Sequence, residues 1–307
     1  MAKPVLKWAG GKRQLLDELY ARFPENYEHY HEPFFGGGAL FFDIEPVDGT
    51  INDTNPRLVN FYEQVRDNPE ELITLLRSYE HPESEVDRSR DYAEKNHKDR
   101  EIKNYFYQQR ALFNKRPYTD EFDPIEEAAL LLYLNRTCYN GLYRENGKGG
   151  FNVPIGRYSN PDWVQAERIR EVSQVLENTE IFNRDFEYVT EYAGEGDLVY
   201  FDPPYEPMSP TAYFTDYSAD GFGKEDQKRL LETAQELDEN GVYVILSNSG
   251  VMYEMYEEAG FSVEIEGATR AINSDADNRD EVEEIIATNV PQEGRRGQKQ
   301  QRIGDFS

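Results

Sequence analysis

Leu198-Val199-Tyr200-Phe201-Asp202-Pro203-Pro204-Tyr205 is the stretch whose reading decides the fold. Its first four residues form an apolar run bounded by turn formers, which predicts a short buried strand. Each proline fixes its own φ, lacks an N–H and pushes the residue before it away from helical geometry. A carboxylate, a rigid carbonyl and an aromatic face are therefore held together just past a strand end. In an open α/β sheet, ligands bind there. Taken alone the tetrapeptide could equally be an Asp-Pro loop opener, so the rest of the chain has to decide.

Outward from this point the α/β pattern continues on both sides. Downstream, a helix carrying Leu230, Leu231, Ala234 and Leu237 closes at Asn240-Gly241, and a buried strand follows over residues 242–248. Two further strands, 261–265 and 283–288, are expected to pair antiparallel at the end of the sheet. Upstream, residues 181–186 read as a strand ending in the acid Asp185. Near the start, Lys7-Trp8-Ala9-Gly10-Gly11-Lys12 precedes an amphipathic run with Leu15, Leu16, Leu19 and Phe23. There Lys12 could meet a carboxylate and Trp8 could stack on a flat ring. Residues 31–40 read as strand, glycine turn and helix, with Gly36-Gly37-Gly38 letting backbone pass close under a ligand. They do not form the dinucleotide fingerprint, because no third glycine stands at the required offset. Asp53 follows a second strand, where an acid can hydrogen-bond a ribose hydroxyl pair. Pro56 then opens a helix with Asn55 as its cap.

The texture changes over residues 63–161, which read as a mainly helical insertion. A helix from Pro124, capped by Asp123, carries Ile125, Ala128, Leu131, Leu132 and Leu134. Residues 135–160 then hold Arg136, Arg144, Lys148 and Arg157 against the single acid Glu145. Tyr139, Tyr143, Phe151 and Tyr158 are interleaved, and Gly147, Gly149 and Gly150 suggest a hairpin tip. Basic charge gathered against the trend of the chain is the footprint of a face that binds a polyanion.

That trend is strong. The 307 residues carry 60 acidic and 33 basic side chains, a formal net charge of −27. The acids are spread along the whole length, which points to a self-repelling surface suited to concentrated salt. At molar salt the Debye length falls to roughly 3 Å, and such repulsion becomes tolerable. A halophilic source is therefore expected. The single cysteine, Cys138, excludes an internal disulfide and fits a reducing compartment. With no signal-like start and no apolar run of membrane-spanning length, a soluble cytoplasmic protein is expected. Four scattered histidines suggest no metal centre, and His29 and His31 read as structural.

The quoted motifs, in this order, resemble those of the Dam-type (GATC) DNA adenine N6-methyltransferases. Residues 7–12 are similar to the family's N-terminal cofactor motif, 32–38 to its glycine loop and 52–55 to its ribose-binding acid. Residues 140–144 and 151–158 resemble its DNA-reading hairpin, and Asp202-Pro203-Pro204-Tyr205 its catalytic motif. The glycine loop alone is non-specific; the combination is very specific. The resemblance implies a Rossmann-like, S-adenosylmethionine-dependent methyltransferase sheet with an inserted, mainly helical DNA-recognition domain carrying a hairpin. The catalytic domain would then span 1–62 and 162–290, the target-recognition domain 63–161, and a disordered tail 291–307. It further implies cofactor contacts at Trp8, Lys12, Phe34, Gly36, Asp53, Asp185 and Asp202, with Asp185 in a looser sequence context than the others. DNA contacts fall to Lys7, Asn140, Leu142, Arg144, Pro154 and Tyr158, Arg144 having the fork that pairs two acceptors on guanine.

Chemistry supports catalytic roles for Asp202, Pro203 and Tyr205. The adenine amino nitrogen is a poor nucleophile because its lone pair is delocalised into the ring. Two hydrogen bonds from it, to a carboxylate and a rigid carbonyl, draw it toward sp³ character, and transfer then depends chiefly on orientation. The base must leave the stack, with Tyr205 as its platform, and residues 206–214 are expected to close over it. Methylation at cytosine C5 would need a cysteine nucleophile, and Cys138 stands outside any Pro-Cys context. Two alternatives stay open: amino methylation of RNA or of cytosine N4, and a DNA-binding regulator that has lost catalysis. Double-stranded DNA is the expected partner, with no obligate protein partner and no membrane.

Overall fold

In the computed structural model the described residues are 2–12, 14–86, 103–115, 123–205, 222–266 and 284–296. Their first helices and strands are α1 (Leu16–Ala21), β1 (Tyr30–Glu32), α2 (Phe41–Ile44), β2 (Gly49–Asn52), α3 (Pro56–Asp67) and α4 (Pro69–Ser78). There follow α5 (Tyr105–Lys115), α6 (Pro124–Thr137), α7 (Ala166–Leu176), β3 (Thr179–Phe182), α8 (Val189–Tyr192) and β4 (Leu198–Phe201). The last are α9 (Lys224–Glu239), β5 (Tyr243–Ser249), α10 (Tyr253–Glu258), β6 (Ser262–Ile265) and β7 (Glu284–Thr288). They belong to two compact units, each built from segments far apart in sequence. One comprises Met1–Gly11, Gly36–Glu45 and Asp53–Asn183, the other Lys12–Phe35, Pro46–Asn52 and Arg184–Ser307.

The second unit holds a sheet in the order β2-β1-β4-β5-β7-β6. β1 pairs parallel with β2 and with β4, and β4 parallel with β5. β7 then enters antiparallel between β5 and β6, as the sequence predicts for the final pair of strands. All four residues of β4 are buried, which is why this strand reads as an unbroken apolar run rather than an alternation. After β1 the chain goes to β2 on one side, and β4 lies on the other. The carboxyl ends of β1 and β4 therefore flank a topological switch point, the expected position for a ligand. Gly49 starts β2 at φ +144°, where an added Cβ would lie 1.8 Å from the Tyr30 carbonyl oxygen, so no side chain fits between these strands. Helix α9 stops as predicted, at Asn240 followed by Gly241 with φ +78°.

The first unit is mainly helical. Helix α6 packs against α3, α4 and α5 and is buried on nearly every side. A helix buried all round must satisfy its polar side chains internally. Asn135 does so by bonding the backbone N–H and carbonyl of Lys7 at 2.9 and 2.7 Å and the carbonyl of Gly141 at 3.0 Å. The caps are the predicted ones: the Asp123 side chain accepts from the N–H groups of Ile125 and Glu126, and that of Asn55 from Arg57 and Leu58. One strand differs from expectation. β3 ends at Phe182, and Asp185 instead caps a 3-10 turn by accepting from the Glu187 N–H at 3.1 Å. No helix among the described residues is long and apolar enough to cross a membrane.

Candidate active site

In the second unit the carboxylate of Asp202 emerges from the carboxyl end of β4, its side chain 20% exposed. The Lys12 ammonium lies 3.3 Å from Asp202 Oδ1 and 3.1 Å from Glu284 Oε1. It also bonds the Tyr205 hydroxyl and sits 4.1 Å from the centroid of that ring. The Tyr205 hydroxyl in turn donates to Glu284 Oε1 at 2.8 Å. Burial pushes the Asp202 carboxyl from 3.8 up to about 7; Lys12 opposes the rise and Glu284 adds to it. Desolvation thus outweighs the nearby cation. Burial and the charges of Asp202 and Glu284 also hold the Tyr205 phenol well above its ordinary value.

The diproline turn is held from behind. Gln227 on α9 donates to the Pro204 carbonyl at 3.3 Å and accepts from Asn248 on β5 at 3.0 Å, and Asn248 also donates to Tyr256 at 2.8 Å. Pro203 is buried, which fixes its carbonyl with the strand end. After β1, Phe34 stacks on Phe186 with centroids 5.3 Å apart and meets Phe201 and Phe222 edge-on. Asp185 is exposed and paired with Arg229 at 2.8 Å, and Arg229 also binds Glu187 and Asp226.

At the opposite end of these strands, before β1 and β4, Glu28, His29 and Asp197 bring ligand-type atoms within 4.8 Å of one another. Asp197 is already occupied: it accepts from the Gly194 N–H and from the backbone and Nδ1 of His29, with His31 Nε2 at 3.4 Å. His31 Nδ1 meets the Thr50 hydroxyl at 2.9 Å. Both histidines thus hydrogen-bond within the fold around Asp197.

The first unit assembles Trp8, Gly36 and Asp53. The Asp53 carboxylate accepts from the N–H groups of Gly36 at 3.0 Å and Asn55 at 2.9 Å; burial raises its carboxyl and these two donors oppose the rise. Gly36, at φ +51°, and Gly37 lie so close to Trp8 that added Cβ atoms would come within 3.1 and 2.9 Å of its side chain. The face of Trp8 stacks on Tyr143 with centroids 5.0 Å apart. With two N–H donors the Asp53 carboxylate keeps lone pairs to spare, the chemistry that ribose hydroxyls require.

The hairpin follows in the same unit. Cys138 bridges to Ile155 and Glu145 to Phe151, and the tip turns through Asn146 and Gly150, with Gly149 at φ +75°. Arg144 is exposed, its Nε donating to Asn152 at 2.6 Å, and Asn140 and Pro154 are exposed beside the half-buried Leu142. The Lys7 ammonium lies 5.0 Å from the centroid of Tyr158, and Lys7 packs so tightly on Gly141 that a Cβ there would meet its Cδ at 2.3 Å. Cys138 is buried and its thiol is pushed up to about 12, so it offers no nucleophile.

Within the second unit the structure brings Lys12, Asp202, Pro203 and Tyr205 together, and within the first it groups Trp8 with Gly36 and Asp53 and Lys7 with the hairpin. Sequence reasoning missed Glu284, which looked like an ordinary strand opener, and the Gln227–Asn248 support. It also missed the stacking of Tyr143 on Trp8, for which the hairpin's aromatic spacing was the only signal.

A mixed sheet closed by a reversed strand pair, with a carboxylate and two prolines at its switch point, defines a Rossmann-like methyltransferase. The chain belongs to the D12 class of N6 adenine-specific DNA methyltransferases, whose family model matches residues 8–272. It is 42% identical over 291 residues to a type II methyltransferase of Lactococcus lactis subsp. cremoris, covering 94% of this chain and 95% of that protein. Identity is 37% over 303 residues to a type II methyltransferase of Methanocaldococcus jannaschii (94% and 99% covered), and 34% over 291 residues to the DNA adenine methylase of Escherichia coli K12 (94% and 96% covered). The protein is thus an enzyme that transfers a methyl group from S-adenosylmethionine to adenine N6 in double-stranded DNA. Membership sets aside the reading as a regulator without catalysis.

Proposed function

We propose that the enzyme methylates the adenine of GATC and acts in the cytoplasm of a halophile. Residues 63–161 serve as its target-recognition part, and 1–62 with 162–290 as its catalytic part. The observation that carries the chemistry is the Asp202 carboxylate at the end of β4, next to a diproline turn whose second proline, Pro204, has its carbonyl held by Gln227.

When bound, S-adenosylmethionine supplies an activated methyl group on a sulfonium. Trp8, Gly36 and Asp53 hold its base and ribose, and Lys12, Phe34, Asp185 and Asp202 complete its contacts. Tyr205 stacks on the extruded adenine, since the target atom cannot be reached inside the duplex. Asp202 Oδ and the Pro203 carbonyl accept the two N–H bonds of the amino group and free its lone pair for in-line attack. As the new N–C bond would form, the methyl–sulfur bond would break with its electron pair going to sulfur as a neutral thioether, and one amino proton would have to leave. A carboxylate whose pKa lies near 7 is matched to receive it. Lys7, Asn140, Leu142, Arg144, Pro154 and Tyr158 contact the DNA, with Arg144 reading guanine through its bidentate fork.

Transfer of labelled methyl groups to duplexes containing GATC, and to duplexes with one base pair changed, tests this reading with Asp202→Ala as control. Methylation confined to GATC and absent from the control is expected. Equal labelling of all the duplexes would remove the specificity assignment.

A further inference from the structure

We propose that Glu284 is a positioning residue for methyl transfer, holding the Lys12 ammonium and the Tyr205 hydroxyl so that Asp202 and the Tyr205 ring keep their working orientation. The inference rests on the roles given above to Asp202 and Tyr205. Glu284 opens β7, and its backbone is fixed there: it pairs with Ser249 of β5, and its carbonyl accepts from the Glu266 N–H at 2.7 Å. One of its oxygens, Oε1, takes both the Tyr205 hydroxyl at 2.8 Å and Lys12 at 3.1 Å.

An ammonium has three donors and no acceptor. Here it meets three oxygens: Asp202 Oδ1, Glu284 Oε1 and the Tyr205 hydroxyl. Lys12 is therefore shared, and Asp202 keeps accepting capacity for another N–H donor. With no carboxylate at 284, two changes follow. The ammonium loses its second anion and draws onto Asp202, competing with the amino group that Asp202 has to hold. The Tyr205 hydroxyl loses its ionised acceptor, and its side chain is then held through Lys12 alone.

The titratable groups facing Asp202 are Lys12, Glu284, Tyr205 and Tyr200, the last bonded to Ser247 at 3.0 Å. Glu284 also faces Glu266, which pairs with Arg22 at 2.8 Å. Of the groups around Asp202, Glu284 is the carboxylate, so its charge acts on the protonation of Asp202.

The test is single-turnover methylation of a GATC duplex across neutral pH by the full chain and by Glu284→Gln and Glu284→Asp. Expected for Glu284→Gln is a rate lowered by about tenfold or more at neutral pH, with DNA affinity changed less than about threefold. The acid limb of its pH profile should also move about one unit lower, because the charge that raises Asp202 is gone. Glu284→Asp restores the charge and should return the limb toward its original position with part of the rate. A limb position does not depend on how much of the sample is active, so partial misfolding cannot imitate the shift. A Glu284→Gln enzyme with unchanged rate and limb overturns the proposal, and so does a loss of rate with the limb unmoved, which is what a merely structural role gives. Methylation surviving in Asp202→Ala strikes at the Asp202 assignment itself, and is thereby told apart from a failure at Glu284.

Discussion

Replacing Asp202 with Asn should abolish methylation and yet stabilise the fold, by an amount that grows with pH. The folded carboxyl lies at about 7 against an ordinary value of 3.8, a rise of about three pH units. At about 1.36 kcal/mol per unit, ionised Asp202 costs the native state about 4 kcal/mol at pH 8. The sign follows from proton counting. Between the two pKa values the folded state holds the proton that the unfolded state has lost, so stability falls as pH rises through this window. The cost is roughly 2 kcal/mol at pH 5 and falls below about 1 kcal/mol by pH 4. Asn mimics the protonated acid in shape and charge, and Lys12 keeps Glu284 and Tyr205 as partners. Chemical denaturation of both proteins at constant salt, at pH 8 and pH 5, reads the difference; by heat the gain at pH 8 corresponds to roughly 6 °C. An Asp202→Asn protein no more stable than the parent at pH 8, or equally favoured at both pH values, would refute the reasoning.

Two further outcomes are expected. Arg144→Ala should relax discrimination at one base pair of the site by about 1–3 kcal/mol, read as the ratio of kcat/KM for cognate and single-change duplexes, while the melting point stays unchanged because this side chain is exposed. With a net charge of −27, the protein should gain stability from dilute to molar potassium chloride and still methylate DNA there; activity lost steeply above moderate salt contradicts this.

Much of this structure was legible because its signals are local. The β4 strand and its diproline end, the caps at Asn55 and Asp123, and the stop at Gly241 each depend on residues within one turn of each other. The closing antiparallel pair was legible from two apolar runs after the last helix. Asp185 shows where local reading fails: an acid after an apolar run suits a strand end and a 3-10 cap equally, and here its carboxylate accepts from the Glu187 N–H as a cap. Glu284 was illegible for another reason. Its partners, Lys12 and Tyr205, stand 272 and 79 residues away, and only the sheet order brings them together. The expected closure by residues 206–214 and the end of the 291–307 tail lie outside the described residues.

The cost assigned to Asp202 and the recognition of the methyl donor have one physical origin. Around Lys12 stand two carboxylates, Asp202 and Glu284, and one ammonium, so the fully ionised cluster carries one negative charge in excess. Burial makes such an excess costly, and the Asp202 carboxyl is raised chiefly by this desolvation, with the Glu284 charge adding to it. A ligand carrying one positive charge relieves it differently, by compensating the ionised form. A sulfonium is such a ligand, whereas its demethylated product is neutral at sulfur. With the sulfonium held beside Asp202 as proposed, the charge that destabilises the free protein would favour the reactive cofactor over the spent one. The sulfonium would lower the Asp202 pKa only while its methyl group is present, so the carboxylate would be ionised when the amino group must be held. A neutral cluster, as in Asp202→Asn, has no means of making that distinction, however much more stable its fold.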